Sequence, residues 1–332
     1  MPLKDKATPL NPFVPLVAMV AAFVSALLFG FGMASSFWGL FLVIASPLPI
    51  YLAGLGWGSL ASGFAGVLAV ACLLMFFDPV MTSVYSLGFV VPAFILTHLA
   101  IQPVSGSDDA PRWLPASALA RVFLVVGLIE ITLLTIVLSM TEAGLAGTVR
   151  GNLHEVAGWF EDSDEESRQA LADLVDFWDS LVPGTLVGGI MIGHAVMGAL
   201  AQGLLVSFAA PMRPSPVFWQ LRLPMWPSIT ALVAAAVALG VDTLGGSTGG
   251  LTAFVVYLAT GIVLVLGTGF LLQGLAVLHA LTRGMGMQPL FLMAAYVVVL
   301  IFQPFGALAF AAVGFADCWA GFRERFGVAD DA

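Results

Sequence analysis

Charge is what this sequence lacks most. Only 9% of its 332 residues are Asp, Glu, Lys or Arg, against about a quarter in an ordinary soluble domain, and that deficit is too large for a soluble fold. Cysteine is nearly absent too. Cys72 lies within an apolar run and Cys318 near the end of another, so neither a disulfide framework nor a metal site is expected. The marks of several chemistries are also missing. No G-x-x-x-x-G-K-[ST] loop is present, so ATP coupling would have to come from partner subunits. His154-Glu155 is followed by no histidine at 158, which removes the H-E-x-x-H zinc-protease pattern, and Leu60 stands where a G-x-S-G serine protease would need glycine before Ala61-Ser62-Gly63. No enzyme and no cofactor are expected. A net charge of −9 with eleven cationic residues excludes nucleic acid as a partner.

What remains is apolar: 60% of the chain is hydrophobic. Several runs reach the roughly 20 residues that cross a ~30 Å hydrocarbon layer as a helix, so the lipid bilayer is the expected solvent. The fold class is all-α, a polytopic transmembrane helix bundle of about ten segments, eight at the fewest. They fall near 13–33, 37–54, 58–77, 82–101, 119–140, 184–209, 227–243, 251–282, 288–302 and 305–322. Pro79, the loop Ser105–Trp113, Pro211, Pro214 and Pro216, the Gly245-Gly246 and Gly249-Gly250 pairs and Pro304 supply the breaks. The eighth run reads either as one tilted helix or as a pair broken around Gly267 and Gly269. The first follows Lys4 and Lys6, but its apolar stretch exceeds the 7–15 residues of a signal peptide and reads as an uncleaved helix.

Cationic residues near short loops prefer the cytoplasm. Ten crossings with the N-terminus inside place Lys4, Lys6, Arg112, Arg121, Arg213, Arg222, Arg283, Arg323 and Arg325 there, nine of the eleven. The expected location is the bacterial inner (cytoplasmic) membrane, multi-pass, with both termini cytoplasmic. The two exceptions, Arg150 and Arg168, lie in a segment of different composition. Between Glu142 and Pro183, ten acidic residues and these two arginines carry −8 of the formal −9. Leu171, Leu174, Val175, Trp178 and Leu181 recur at helical spacing, opposite Asp173, Asp176 and Asp179, which gives an amphipathic helix over 165–182 outside the cytoplasm. It reads as a solvated cap resting on the bundle; a lid or a cation-gathering surface is the alternative. Three regions follow: N-terminal membrane helices 1–140, the acidic extracytoplasmic segment 141–183, and C-terminal membrane helices 184–332.

Ala18, Ala22 and Ala26 form a flat row that lets another helix approach closely, as do Gly58, Ser62 and Gly66, the pair Gly189 and Gly193, and the row Ala195, Ala199 and Gly203. "AAFVSALLFG" (21–30) followed by "SPLPIYLAGLGWGSLASGFAGVLAV" (46–70) resembles the opening of the substrate-binding S components of energy-coupling factor (ECF) vitamin transporters. "VGFADCWAGFRERFG" (313–327) resembles the ending of the YybS-like bacterial membrane proteins, an uncharacterised family regarded as distantly related to S components, with Asp317, Trp319, Phe322 and Arg323 at the matching positions. The resemblance implies a transmembrane coupling subunit and ATPases as partners, with Ala18, Ala22 and Ala26 as the docking face. It covers about the first 100 and last 20 residues and carries over no ligand residue.

Glu130 stands alone in an otherwise apolar or hydroxyl-bearing run from Phe123 to Met140. A mid-membrane carboxylate costs on the order of 2.5–3.5 kcal/mol on insertion scales and normally faces the bundle interior or a wet cavity. Arg121, nine residues away on the same helix, faces the opposite side. His194 is expected at similar depth on the next, antiparallel membrane helix, so a Glu130–His194 contact is the leading reading, with Gln202, Gln273, His279 and Gln303 as rival partners. The simpler alternative is a protonated Glu130 bonded to a backbone carbonyl or threonine. A Glu130–His194 contact would mark either a polar ligand pocket near the midplane or a proton-responsive pair; on the first reading Glu130, His194 and Gln202 are the expected ligand-binding residues for a small-molecule solute. Asp317 is expected to pair with Arg323 or Arg325 as a surface anchor. The function expected is a solute-binding or transport subunit; the alternative is a membrane scaffold in cell-envelope processes that moves no solute.

Overall fold

The computed structural model describes residues 12–35, 38–107, 110–158, 165–209, 211–243 and 250–326. Lys4, Lys6, Glu161, Asp162, Asp164 and the Gly245-Gly246 pair lie outside the described residues, as do the side chains of Glu165, Glu166, Arg168 and Asp242. Helices dominate, as they must where no water can satisfy backbone groups. Among the described residues, six helical stretches are long and apolar enough to cross a membrane: Val14–Ala34, Gly39–Trp57, Pro79–Ala100, Ala116–Ser139, Gln169–Phe208 and Leu251–Leu281. Shorter apolar helices occupy Ser59–Leu73, Trp226–Val241, Gln288–Ile301 and Phe305–Ala320. Each apolar run in the sequence coincides with one of these helical stretches.

The chain divides into two compact units, one comprising residues up to Leu114 with Ile192–Pro216, the other Pro115–Met191 with the chain from Val217 onward. These limits differ from the compositional breaks at 141 and 184, because the packing partners of a long helix change along its length. The first unit contains α1 (Val14–Ala34), α2 (Gly39–Ala45), α3 (Leu48–Trp57), α4 (Ser59–Leu73), α5 (Pro79–Tyr85) and α6 (Val91–Ala100). The second run is not one straight helix. Pro47 has no N–H to continue the ladder, so α2 stops and α3 restarts beyond it. Gly58, at φ 98°, then turns the chain directly into α4. Asp78 caps α5, its Oδ1 accepting from the N–H groups of Val80 and Met81 at 2.9 and 3.0 Å. A π turn, Ser86–Val90, joins α5 to α6. Part of the Ser105–Trp113 loop is a two-stranded antiparallel hairpin, β1 (Pro103–Ser107) with β2 (Ala110–Trp113), Ser107 facing Ala110. The sequence marked this stretch only as a break; its short polar strands carry no hydrophobic alternation to signal pairing.

The second unit contains α7 (Ala116–Ser139), α8 (Gly144–Gly158), α9 (Glu165–Trp178), a 3₁₀ turn Asp179–Leu181, α11 (Trp226–Thr243), α12 (Leu251–Leu281), α13 (Gln288–Ile301), α14 (Phe305–Ala320) and α15 (Phe322–Arg325). The helix between the turn and α11, α10 (Val182–Phe208), gives its first residues to this unit and the rest to the other. α12 is the hub, packing on α7, α11 and α14. It is one continuous helix, which decides between the two readings of the eighth run. Gly274 and Gly314 let α12 and α14 touch backbone to backbone: a Cβ at Gly274 would collide with Phe310 O, and one at Gly314 with Phe270 O.

The acidic segment rests on α12. Leu145 and Val149 of α8 form a buried cluster with Tyr257. Asp179, buried, accepts from Arg150 Nε at 2.7 Å and from the Tyr257 hydroxyl. That hydrogen bond to Asp179 raises the Arg150 guanidinium above its ordinary pKa. Of the expected apolar stripe, Val175 is buried but Leu174 is exposed, so the stripe is only partly covered.

Candidate functional site

The expected ligand residues are distributed over both units. Glu130 sits on α7, whose buried face presents Leu124, Gly127, Ile131 and Thr135 at helical spacing. This face is packed closely. A Cβ at Gly269 of α12 would come within 2.6 Å of Leu124, and one at Gly127 would strike Met191 Sδ. Glu130 lies at the flank of the face, half-buried, next to Ile131. Its Oε1 is sealed from solvent and has no hydrogen-bond partner among the described residues. The helix hydroxyls nearby are spent on their own backbone, Thr132 on Leu128 O and Thr135 on Ile131 O, both at 2.7 Å. An unsatisfied buried polar atom costs about 1–3 kcal/mol.

His194 is settled differently. It is 3% exposed, and both ring nitrogens are engaged within the first unit: Nδ1 with the Tyr51 hydroxyl at 3.0 Å, Nε2 with Gly88 O at 2.8 Å. A carbonyl only accepts, so Nε2 carries hydrogen, and in the neutral ring Nδ1 accepts from Tyr51. Gly88 lies in the π turn, where the widened helix ladder changes which carbonyls its own backbone uses. Phe89 and Tyr51 flank the imidazole. Close by in the chain's fold, Tyr85 meets Ser25 Oγ at 2.5 Å, and Ser25 donates to Ser46 O at the α2–α3 break. Tyr51 and Gly88 were not among the expected partners; a tyrosine within an apolar run was the available signal.

Gln202 donates from Nε2 to Arg213 O at 3.0 Å and toward Ser215 Oγ at 3.5 Å. Arg213 itself is 6% exposed and held by main-chain acceptors, Ala100 O at 2.9 Å, Leu114 O at 3.2 Å and Pro214 O at 3.1 Å, so it clamps the end of α6 and the hairpin. Desolvation pulls its pKa below the usual arginine value. Ala18, Ala22 and Ala26 are all buried, on a helix that packs most extensively against α4. The small residues of α4 buried in return are Ala61, Ser62, Ala65, Gly66 and Ala69. The alanine row is therefore covered by the unit's own helices.

Residues 23–318 match the family described as "Predicted membrane protein (DUF2232)". The chain belongs to this family. No curated protein and no solved structure matches it. The family region ends beside the best-connected polar centre of the second unit. Asp317 accepts from Gln273 Nε2 at 2.9 Å, from the Phe322 N–H at 2.9 Å and from Arg323 at 2.7 Å. Arg323 also donates to Trp219 O and Leu221 O, both at 2.8 Å, and Gln273 Oε1 accepts from the Leu223 N–H at 2.8 Å. Gly321, at φ 59°, makes the left-handed turn that brings Arg323 back. The expected Asp317–Arg323 pair is present, but it is buried, with side chains 4% and 3% exposed, and so is not a surface anchor.

Proposed function

We propose that the protein is a multi-pass bacterial inner-membrane protein with ten crossings and both termini in the cytoplasm. Its role in this reading is non-enzymatic: a solute-binding subunit of the S-component type, kin to the YybS-like proteins, whose ligand reaches Glu130. The observation that carries the reading is the enclosed Oε1 of Glu130, without a hydrogen-bond partner among the described residues, since a carboxyl group so kept in an apolar helix is suited to a ligand that donates a hydrogen bond. A coupling subunit and ATPases would supply the energy. Because the alanine row of α1 is covered, such a partner would meet the opposite face, where Leu16, Met19, Phe23 and Phe31 are exposed.

The second reading, a scaffold, is favoured by a specific observation: His194 and Gln202 are committed to internal partners. Mass spectrometry of the chain purified in mild detergent separates the two. A ligand subunit retains a small molecule that is lost on Glu130→Leu, and it brings coupling subunits with it. Recovery of the chain alone, with no retained molecule in either form, would leave the scaffold.

A further inference from the structure

Glu130 stands between a filled interior and the outer surface of its unit. A Cβ at Gly127 would strike Met191 Sδ and one at Gly261 would strike Ile131, so side chains already occupy the space between α7, α10 and α12. Its α7 neighbours Ile129 and Leu133 are 53% and 41% exposed, an apolar face suited to acyl chains. No countercharge faces the carboxyl among the described residues. Arg121 is on the opposite side of α7, about 13 Å of helix rise away. Residues 261–269 of α12 and 182–191 of α10 contain no ionisable side chain. Further along α12, Tyr257 and His279 are bonded to Asp179 and Tyr296. α8 meets α7 around Leu138, two turns beyond Glu130, with Arg150 held by Asp179 and with His154 and Glu155 exposed. The 3₁₀ turn Phe218–Gln220, which also packs on α7, adds no ionisable group.

We infer that Glu130 is a proton-binding site: before any solute arrives it carries one exchangeable proton, and the group a solute meets there is a neutral carboxylic acid. The inference rests on the reading of Glu130 as the ligand site and names its first occupant. Two costs decide it. An ionised carboxylate would be a buried charge with no partner, whereas the neutral acid leaves only an unpaired polar atom, and the second costs much less. In so packed a place the proton is the smallest occupant that removes the charge. Exchange follows from position, because the half-buried side chain lies at the flank of the packed face and is not enclosed on every side. A solute with both a hydrogen-bond donor and an acceptor binds this acid without releasing its proton, while a cation has to displace it.

The test uses the full chain in lipid nanodiscs and two readouts. In the first, the lipid-soluble reagent dicyclohexylcarbodiimide is added and the modified carboxyl is located by peptide mass spectrometry. The carboxyl oxygen bonds to the central carbon of the reagent, the acid's proton passes to one nitrogen and the acyl group then shifts to the other; nothing leaves, so the adduct has the summed mass. The reaction consumes the protonated form, so labelling of Glu130 at neutral pH falls as the pH is raised. In the second, infrared spectra at neutral pH show a carboxylic-acid carbonyl band that shifts in heavy water and is lost in Glu130→Gln. Either readout, assigned to Glu130, supports the inference; a wild-type chain with no adduct at Glu130 and an infrared spectrum matching that of Glu130→Gln overturns it. If Glu130→Gln does not elute from gel filtration as the wild type does, the mapped adduct and its pH dependence decide alone. A molecule retained by the wild type and lost in Glu130→Leu, with neither acid readout, sinks this inference and leaves the solute reading standing. The acid readouts with no retained molecule do the reverse.

Discussion

At the scale of single residues, the polar groups in this chain fall into two kinds. His194, Gln202, Arg213, Asp317 and Arg323 have found partners within their own unit, mostly backbone groups, and for His194, Arg213 and Arg323 about a hundred residues away in sequence. Glu130 Oε1 has not. The first kind can be ranked by what their loss would strand. Arg323→Met removes the partner of a buried carboxylate and of two carbonyls, and should cost about 3–5 kcal/mol. Arg323→Lys recovers the charge without the fork that reaches Trp219 O, Leu221 O and Asp317 together, so it should fall between. Adding Asp317→Leu to Arg323→Met should cost less than the two singles summed, because no charge is then left alone. Thermal unfolding midpoints in one detergent check the order. Equal losses for the methionine and lysine variants would refute it.

At the scale of elements, the apolar runs made the helices legible, and Pro79, Pro304 and the Gly249-Gly250 pair marked several of their ends, whereas the break at Pro47 inside the second run was not read. The partners were not legible. His194 meets Tyr51 across 143 residues and Gly88 across 106, a pairing that no local spacing encodes. Nor does a row of alanines say whether a neighbour from the same chain or from another will cover it. Glycine shows the same ambiguity. Gly274 and Gly314 sit where α12 and α14 touch, whereas Gly267, on the same α12, faces open space. Gly274→Ala or Gly314→Ala should push these helices apart and destabilise by about 1–3 kcal/mol. Gly267→Ala should be neutral or slightly stabilising, since alanine is the better helix former. The same unfolding measurement applies, and a Gly267 variant as damaging as the Gly274 one would contradict the packing described.

At the scale of the whole molecule, the matched family region, residues 23–318, takes in most of both units, so both belong to what the family shares. The proposed ten-crossing arrangement makes a sided prediction. Alkaline phosphatase fused after residue 160 should be active and fused after residue 326 inactive, with a fluorescent-protein fusion after 326 giving the opposite signal. Phosphatase activity at the second position would remove the even count and with it the assignment of the acidic segment to the outside. The Arg323 clamp also bears on how such a chain is made. Its acceptors at Trp219 and Leu221 are synthesised 104 and 102 residues before the guanidinium that binds them. A ribosome pausing within α11–α14 therefore holds a nascent chain whose clasp is still open.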